Sequence, residues 1–276
     1  MLKIGQTNHL QILRKTSVGF YLGDEDGNDV LLPNKYCTDD LEIGDFIDVF
    51  VYKDYEQRWI ATNLKPYVQL NQFAFLKIKS TSAVGAFLDW GLEKDLFVPF
   101  KEQNRKLEMN NYVVIYLYED SQTQRLVAST KLNRFFKNEH IEIDPGSEVD
   151  LLVFETTPLG FNVVVNQQYK GLIYHTEIFR PINIGDQLKG YVKLIREDGG
   201  IDISLQPKGI KRLEAGSELI LDYLKKHKGY LNLNDKSDPE EIMRILKMSK
   251  KNFKNSVGIL YKQRLIRIEE NGIHLN

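Results

Sequence analysis

The strongest constraint on the fold is that the chain repeats itself. Val18-Gly19-Phe20-Tyr21-Leu22 returns 66 residues later as Val84-Gly85-Ala86-Phe87-Leu88. Leu31-Leu32-Pro33 returns as Phe97-Val98-Pro99, and Leu41-Glu42-Ile43 as Leu107-Glu108-Met109, at the same offset. Val51-Tyr52-Lys53-Asp54 answers to Leu117-Tyr118-Glu119-Asp120; after one inserted residue, Arg58-Trp59-Ile60-Ala61-Thr62 answers to Arg125-Leu126-Val127-Ala128-Ser129. A spacing held through separate blocks marks two copies of one module. A third copy lies 75 residues beyond the second, with Gly160 for Gly85, Leu172-Ile173-Tyr174 for Phe97-Val98-Pro99, and Ser204 for Ser129.

Each copy reads as a run of short strands. In the third, Val149–Glu155 alternates and turns at Thr157-Pro158 into Gly160–Val165. Gly171–Glu177 follows, then a loop at Ile184-Gly185-Asp186, a strand over 187–195, and a last strand, Ile201–Gln206, after Asp198-Gly199-Gly200. Apolar alternation cut at short intervals by Gly, Pro and Asp predicts strands. Five of them in about 60 residues fit a closed barrel of OB type. The order of its words, Gly-Phe-x-Val, then Gly-Leu-Ile-Tyr-His-Thr-Glu, then Gly-Asp, then Ile-Ser-Leu, resembles the S1-type RNA-binding domain.

The period changes after Gln206. Ser217 is predicted to cap a helix carrying Leu219, Ile220, Tyr223 and Leu224, stopped by Gly229, with a short strand at 230–233. Asp238-Pro239-Glu240-Glu241 opens a second helix and Ser249 a third, with Phe253, Val257 and Leu260 inward. Leu265–Ile268 and Ile273–Leu275 form a hairpin across Glu269-Glu270-Asn271-Gly272, an Asn-Gly turn. Helix, strand, helix, helix, hairpin is the layout of a winged helix. The expected architecture is therefore mainly β with a small α+β C-terminal domain. Three tandem five-stranded S1-type OB-fold barrels occupy 1–65, 66–135 and 141–207, and a winged-helix domain occupies 212–276. Phe135–His140 reads as a connecting segment.

Composition narrows the function. The 276 residues hold one cysteine, Cys37, and five histidines, which excludes an internal disulfide framework and disfavours a structural zinc site. No apolar run reaches the roughly 20 residues of a membrane span, and the start lacks the apolar core of a signal peptide. The expected location is cytoplasmic, away from membranes. No Walker A loop, dinucleotide-binding loop, nucleophile elbow or metal-ligand cluster is present, and the acid pairs Asp39-Asp40 and Glu269-Glu270 lie in turns. The expectation is a binding protein that needs no cofactor, not an enzyme. Net charge is −1, but unevenly spread. Residues 1–65 hold 7 Lys/Arg against 11 Asp/Glu, 66–140 hold 10 against 8, 141–207 hold 5 against 10, and 208–276 hold 15 against 9. Phosphates would be met by the second and last segments.

Three S1-type barrels followed by a winged helix are similar to the conserved virulence factor B family of bacterial RNA-binding regulators. That resemblance implies post-transcriptional regulation of gene expression by binding single-stranded RNA with little sequence preference. The S1 pattern implies aromatics flanking the second-strand Gly, a third-strand His, and an Asp and Arg around the last turn. On this chain the carry-over falls on Tyr21, Asp54 and Arg58 in the first barrel and on Phe87 and Arg125 in the second. In the third it falls on Phe161, Tyr174 and His175, with Lys193 and Arg196 as nearby cations. Val18, Pro33, Pro99, Leu159, Asn162 and Gly200 stand where the pattern has other residues, so no copy keeps the full set. Lys77 and Lys79 share one face of an alternating strand, and Lys250, Lys251, Lys254 and Lys262 lie off the apolar stripe of the third C-terminal helix. Trp59 and Trp90 read as packing residues. Two other readings stand beside this one: a regulator that binds duplex DNA through the winged helix, and a protein-interaction scaffold that touches no nucleic acid.

Overall fold

The computed structural model describes residues 2–56, 58–178, 181–206, 209–269 and 271–276, with side chains of 209–215 left aside. The first module is a closed barrel of β1 (Thr7–Thr16), β2 (Gly19–Gly23), β3 (Asp29–Pro33), β4 (Phe46–Lys53) and β5 (Trp59–Thr62), in the order β1-β2-β3-β5-β4. The second comprises β6 (Phe73–Thr81), β7 (Gly85–Asp89), β8 (Leu96–Pro99), β9 (Tyr112–Asp120) and β10 (Arg125–Ser129). The third, again closed, comprises β11 (Glu148–Thr157), β12 (Gly160–Val165), β13 (Tyr169–Tyr174), β14 (Gln187–Ile195) and β15 (Ile201–Ser204). In all three the first strand bulges at the same place, after Ile12, Ile78 and Val153. The bulges keep the 66- and 75-residue offsets of the sequence, so the repeat is one of backbone geometry as well as of side chains.

A second shared feature is the glycine that opens each second strand. Gly19, Gly85 and Gly160 have φ of 148°, 157° and 155°, outside the ordinary range of L side chains. A Cβ there would lie 2.0, 2.3 and 1.9 Å from the carbonyl oxygens of Leu32, Val98 and Ile173. The third strand thus closes directly onto a bare backbone, and the residue two positions on is turned out of the core.

The middle sheet departs from expectation: it is open, in the order β10-β9-β6-β7-β8. The residue on the closing strand explains the difference. In the third barrel it is Gly171, and the parallel seam β13–β15 has three registered pairs, Gly171↔Ile201 to Ile173↔Ile203. In the first barrel it is Val30, and the seam is reduced to Leu31↔Ile60. In the second it is Leu96, a buried side chain, and no ladder joins β8 to β10. The ladder thus shrinks as the side chain at this position grows, although β8 and β10 remain neighbours.

The first two modules form one compact unit, Met1–Phe136. Phe50, Tyr52 and Ile60 of the first belong to the same buried cluster as Leu76, Leu88, Leu96 and Leu117 of the second. Trp90 joins them, its ring edge-on to Phe50 at 5.7 Å and to Tyr52 at 6.2 Å, with its indole N–H donating to the Lys94 carbonyl. The first residues of the expected connector also pack here: Phe135 stacks on Tyr116 at 4.1 Å and Phe136 on Phe73 at 5.0 Å.

The second unit, 137–276, holds the third barrel and the C-terminal domain. That domain contains α1 (Gly209–Lys226), β16 (Tyr230–Leu231), α2 (Pro239–Leu246), α3 (Lys250–Lys262), β17 (Ile266–Glu269) and β18 (Gly272–Leu275). Asp238 caps α2, accepting from the Glu240 N–H at 2.8 Å, and Ser249 caps α3 through Asn252. Two expectations need correction. Ser217 is not a cap; it lies inside the 18-residue α1, buried, with its hydroxyl toward the Ser256 carbonyl at 3.4 Å. A Cβ on Gly216 would meet Ser256 Oγ at 2.3 Å, so this small pair is where α1 crosses α3. Gly272, expected inside the hairpin turn, instead closes it by pairing with Glu269 at the start of β18; a Cβ there would lie 2.4 Å from the Leu231 carbonyl oxygen, which is why the position takes glycine.

Replacing Gly160 by alanine puts a methyl carbon onto the Ile173 carbonyl and forces the strained φ on an L residue. We expect G160A to lower stability by more than about 1 kcal/mol, read as a lower urea midpoint for the transition of the second unit. Gly27, whose φ of 83° is also strained for an L residue but whose Cβ would meet nothing within 4 Å, is the control that keeps the strain and removes the clash.

Candidate nucleic-acid interface

Five of the seven expected contact residues of the first unit, all but Lys77 and Lys79, gather into two neighbouring clefts. The first, of about 670 Å3, is lined by Tyr21, Asp54 and Arg58, together with Asp29, Lys35, Glu56, Glu93 and Lys94. The second, of about 480 Å3, opens along the unclosed β8/β10 seam. Leu96 and Phe97 line it from β8, Arg125, Leu126 and Val127 from β10, and Phe87 from β7. Lys53, Tyr55 and Trp59 from the β4–β5 hairpin of the first barrel complete it. Trp59 and Tyr55 line both clefts.

Electrostatics separates the two. In the first cleft four carboxylates face three cations, and the cations are engaged. Lys35 pairs with Glu93, while Arg58 grips Asp54 through Nε at 2.9 Å and Nη2 at 2.8 Å and reaches Glu56 at 2.8 Å. Burial pushes the Asp54 carboxyl up, but hydrogen bonds from the Arg58 amide and guanidinium and the Arg58 charge hold it below the usual range. Tyr21 is half-buried with the Arg14 guanidinium 4.0 Å over its ring, and Arg14 in turn pairs with Asp29 at 2.7 Å. In the second cleft Lys53, Lys94 and Arg125 face only Asp95, which already pairs with Lys79 at 2.7 Å. Phe87 lies directly across from Phe97 in the ladder, ring centroids 5.2 Å apart. Arg125 is exposed at the head of β10. A site with ring faces and surplus positive charge suits a base and its phosphate; the first cleft repels phosphate.

The remaining expected residues are placed as follows. Lys77 and Lys79 are both exposed on β6, with Lys79 committed to Asp95. Phe161 is half-buried against the third core and edge-on to His175, 6.0 Å between centroids. His175 is exposed, opening a 3-10 turn at His175–Glu177 instead of lying on the strand, and Tyr174 pairs with Gly160. Lys193 pairs with Glu177 at 2.6 Å. Arg196 lies over Gly200, where a Cβ would be 1.9 Å from its Nη2, and approaches Asp198 at 3.5 Å and Asp202 at 3.6 Å. The third barrel therefore keeps a guanidinium at its last turn, supplied from the end of β14. On α3, Lys251, Lys254 and Lys262 are exposed, whereas the Lys250 ammonium donates to the Ser237 carbonyl at 2.8 Å and ties down the loop before α2. Val18, Val84 and Leu159, at the tips of the three first hairpins, are exposed aliphatics where the S1 pattern has an aromatic.

Sequence reasoning assigned Trp59 to packing and passed over Tyr55, Phe97, Lys53 and Lys94. Trp90 is buried, but Trp59 is 37% exposed and carries the Lys53 ammonium 4.3 Å from its ring centroid. The available signal was that Tyr55 and Trp59 bracket the same turn as Asp54 and Arg58.

Two families match the chain: the S1 domain over residues 4–64 and 72–131, and the CvfB-like winged helix domain over 218–275. "Conserved virulence factor B" of Staphylococcus epidermidis is 26% identical over 281 residues, covering 99% of this chain and 94% of that protein. Over nearly its whole length the chain is similar to proteins named conserved virulence factor B. "Uncharacterized protein YitL" of Bacillus subtilis is 27% identical over 98% of this chain and 93% of its own length. A crystal structure of a multidomain protein with nucleic acid binding domains from Streptococcus pneumoniae covers 99% of this chain and 98% of that one, at 22% identity and a TM-score of 0.42. As a conserved virulence factor B relative, the chain is built from S1 and winged-helix modules, which are nucleic-acid-binding domains and in general not enzymatic ones. Among the described residues no helix is long and apolar enough to cross a membrane, and no cluster of His, Cys, Asp and Glu could hold a metal.

The Asp54–Arg58 pair gives the first cleft an acid signature. A carboxyl held below its unfolded value, about 3.9, contributes stability above that value and loses it as pH falls through the lower folded value. The difference in urea stability between the native chain and D54N should be constant above about pH 5 and shrink as pH falls below the unfolded carboxyl value of about 3.9 and through the lower folded one.

Proposed function

We propose that the chain binds single-stranded RNA with little sequence preference and acts on gene expression after transcription. The observation that carries this reading is the cleft at Phe87, Phe97 and Arg125, where exposed or half-buried rings meet uncompensated positive charge. Ring stacking accepts every base, worth about 1–3 kcal/mol each, and so gives affinity without sequence readout. The exposed Lys251, Lys254 and Lys262 of α3 offer phosphate contacts of the kind that winged helices make in a groove. The acidic first cleft and the ion-paired cations of the third barrel support a smaller part for those modules, with the second barrel as the principal site. Cytoplasmic action accords with this function.

The test is the affinity for short homopolymeric RNA across a salt series, with duplex DNA as competitor. We expect RNA to be preferred and binding to weaken with salt. R125A should flatten the slope by roughly 0.7, the value of one lost phosphate contact on a single strand. F87L should weaken binding at unchanged slope. Preference for the duplex, lost on neutralising Lys251 and Lys254, would instead assign the chain to transcriptional control. Absence of RNA and DNA binding at low salt would favour the protein scaffold.

A further inference from the structure

The second cleft is not the property of the second barrel alone. Its far wall is the β4–β5 hairpin of the first, and the hairpin is fixed there by hydrogen bonds running in both directions. Lys53 Nζ donates to the Gln124 carbonyl at 3.0 Å, next to Arg125. Lys94 Nζ donates back to the carbonyls of Asp54 and Lys53 at 2.7 and 3.1 Å. The Tyr55 hydroxyl donates to the Glu93 carbonyl at 3.0 Å. Burial and the neighbouring Arg125 charge push the Lys94 ammonium down, as expected where cations are crowded together. Trp59, held against Lys53 across the β4–β5 ladder, is the large ring that this arrangement presents to the cleft.

We propose that Trp59 is a base-stacking residue and that the first barrel, through its β4–β5 hairpin, completes the RNA site of the second. The ligand is an unpaired nucleobase held at Trp59, with its phosphate drawn to Lys53 and Arg125. The proposal rests on the reading of the chain as a single-strand binder and adds where and by which barrel the base is held. Three observations support it. Trp59 is exposed while the other tryptophan is buried. The cleft, at about 480 Å3, has the size of a small-ligand pocket, commonly about 300–1,000 Å3. Its three cations face one carboxylate that is already paired, which favours an anionic ligand over a basic or neutral one.

The experiment uses the full chain, titrated with an eight-nucleotide oligouridylate at low salt. Affinity and intrinsic tryptophan fluorescence are followed together for the native protein, W59F and W59L. We expect quenching in the native protein, a loss of about tenfold or more in affinity for W59L, and near-native affinity for W59F, because a ring is retained. W59L binding as tightly as the native protein, or native binding without quenching, would overturn the proposal while leaving the RNA reading intact. Failure of the native protein to bind at all would overturn both. If W59L melts early, quenching decides by comparison with W59F, which leaves only Trp90, buried against the same cleft: quenching in the native protein that is lost in W59F supports the proposal, and quenching that persists in W59F overturns it.

Discussion

A missing side chain governs this architecture. At Gly19, Gly85 and Gly160 the third strand's carbonyl occupies space that any Cβ would claim, and the backbone takes a φ that favours glycine. That contact lets a five-stranded sheet curl over a short distance. It also sets which residues face out: Tyr21, Phe87 and Asn162, two positions on, are the outward residues of the three copies. One steric fact thus fixes the packing of the second and third strands and the location of the outer face, and the three copies carry different outward residues while each keeps the glycine.

The three copies then diverge by volume and charge. Gly171, Val30 and Leu96 at one position give a seam that is laddered, barely laddered and open. The seam without a ladder is where rings and cations remain available, Phe87, Phe97 and Arg125 among them. Charge follows a different rule. In the first barrel and third barrel the cations near the expected face are answered by Asp29, Asp54, Glu56, Glu177, Asp198 and Asp202, whereas the second cleft retains a surplus. Exposed ion pairs of this kind contribute little to stability, so their consequence is chiefly for what may approach.

Most of the fold was legible because it depends on local rules. Strand alternation, the glycine positions, the Asp238 and Ser249 caps and the repeat offsets each have one physical cause. What was not legible depends on contacts between modules. Ser217 has the chemistry of a cap, and only the crossing of α1 and α3 turns it into an interhelical contact. Gly272 has the sequence of a turn, and only β16 beside it explains its place in a strand. Trp59 and Trp90 both read as core; Trp90 is buried by the fusion of two barrels, while Trp59 lies at its rim. Nor could periodicity tell Lys250, spent on a backbone carbonyl, from Lys251 and Lys254, which are exposed.

Hydrogen exchange of the full chain with and without a short single-stranded RNA tests the central claim most directly, since it reports where along the backbone the ligand is held. The account predicts slowed exchange concentrated in residues 53–59, 85–99 and 123–127, with little change on the acidic face around 24–29. Slowed exchange confined to the second unit, or none anywhere under conditions where RNA is bound, would contradict it.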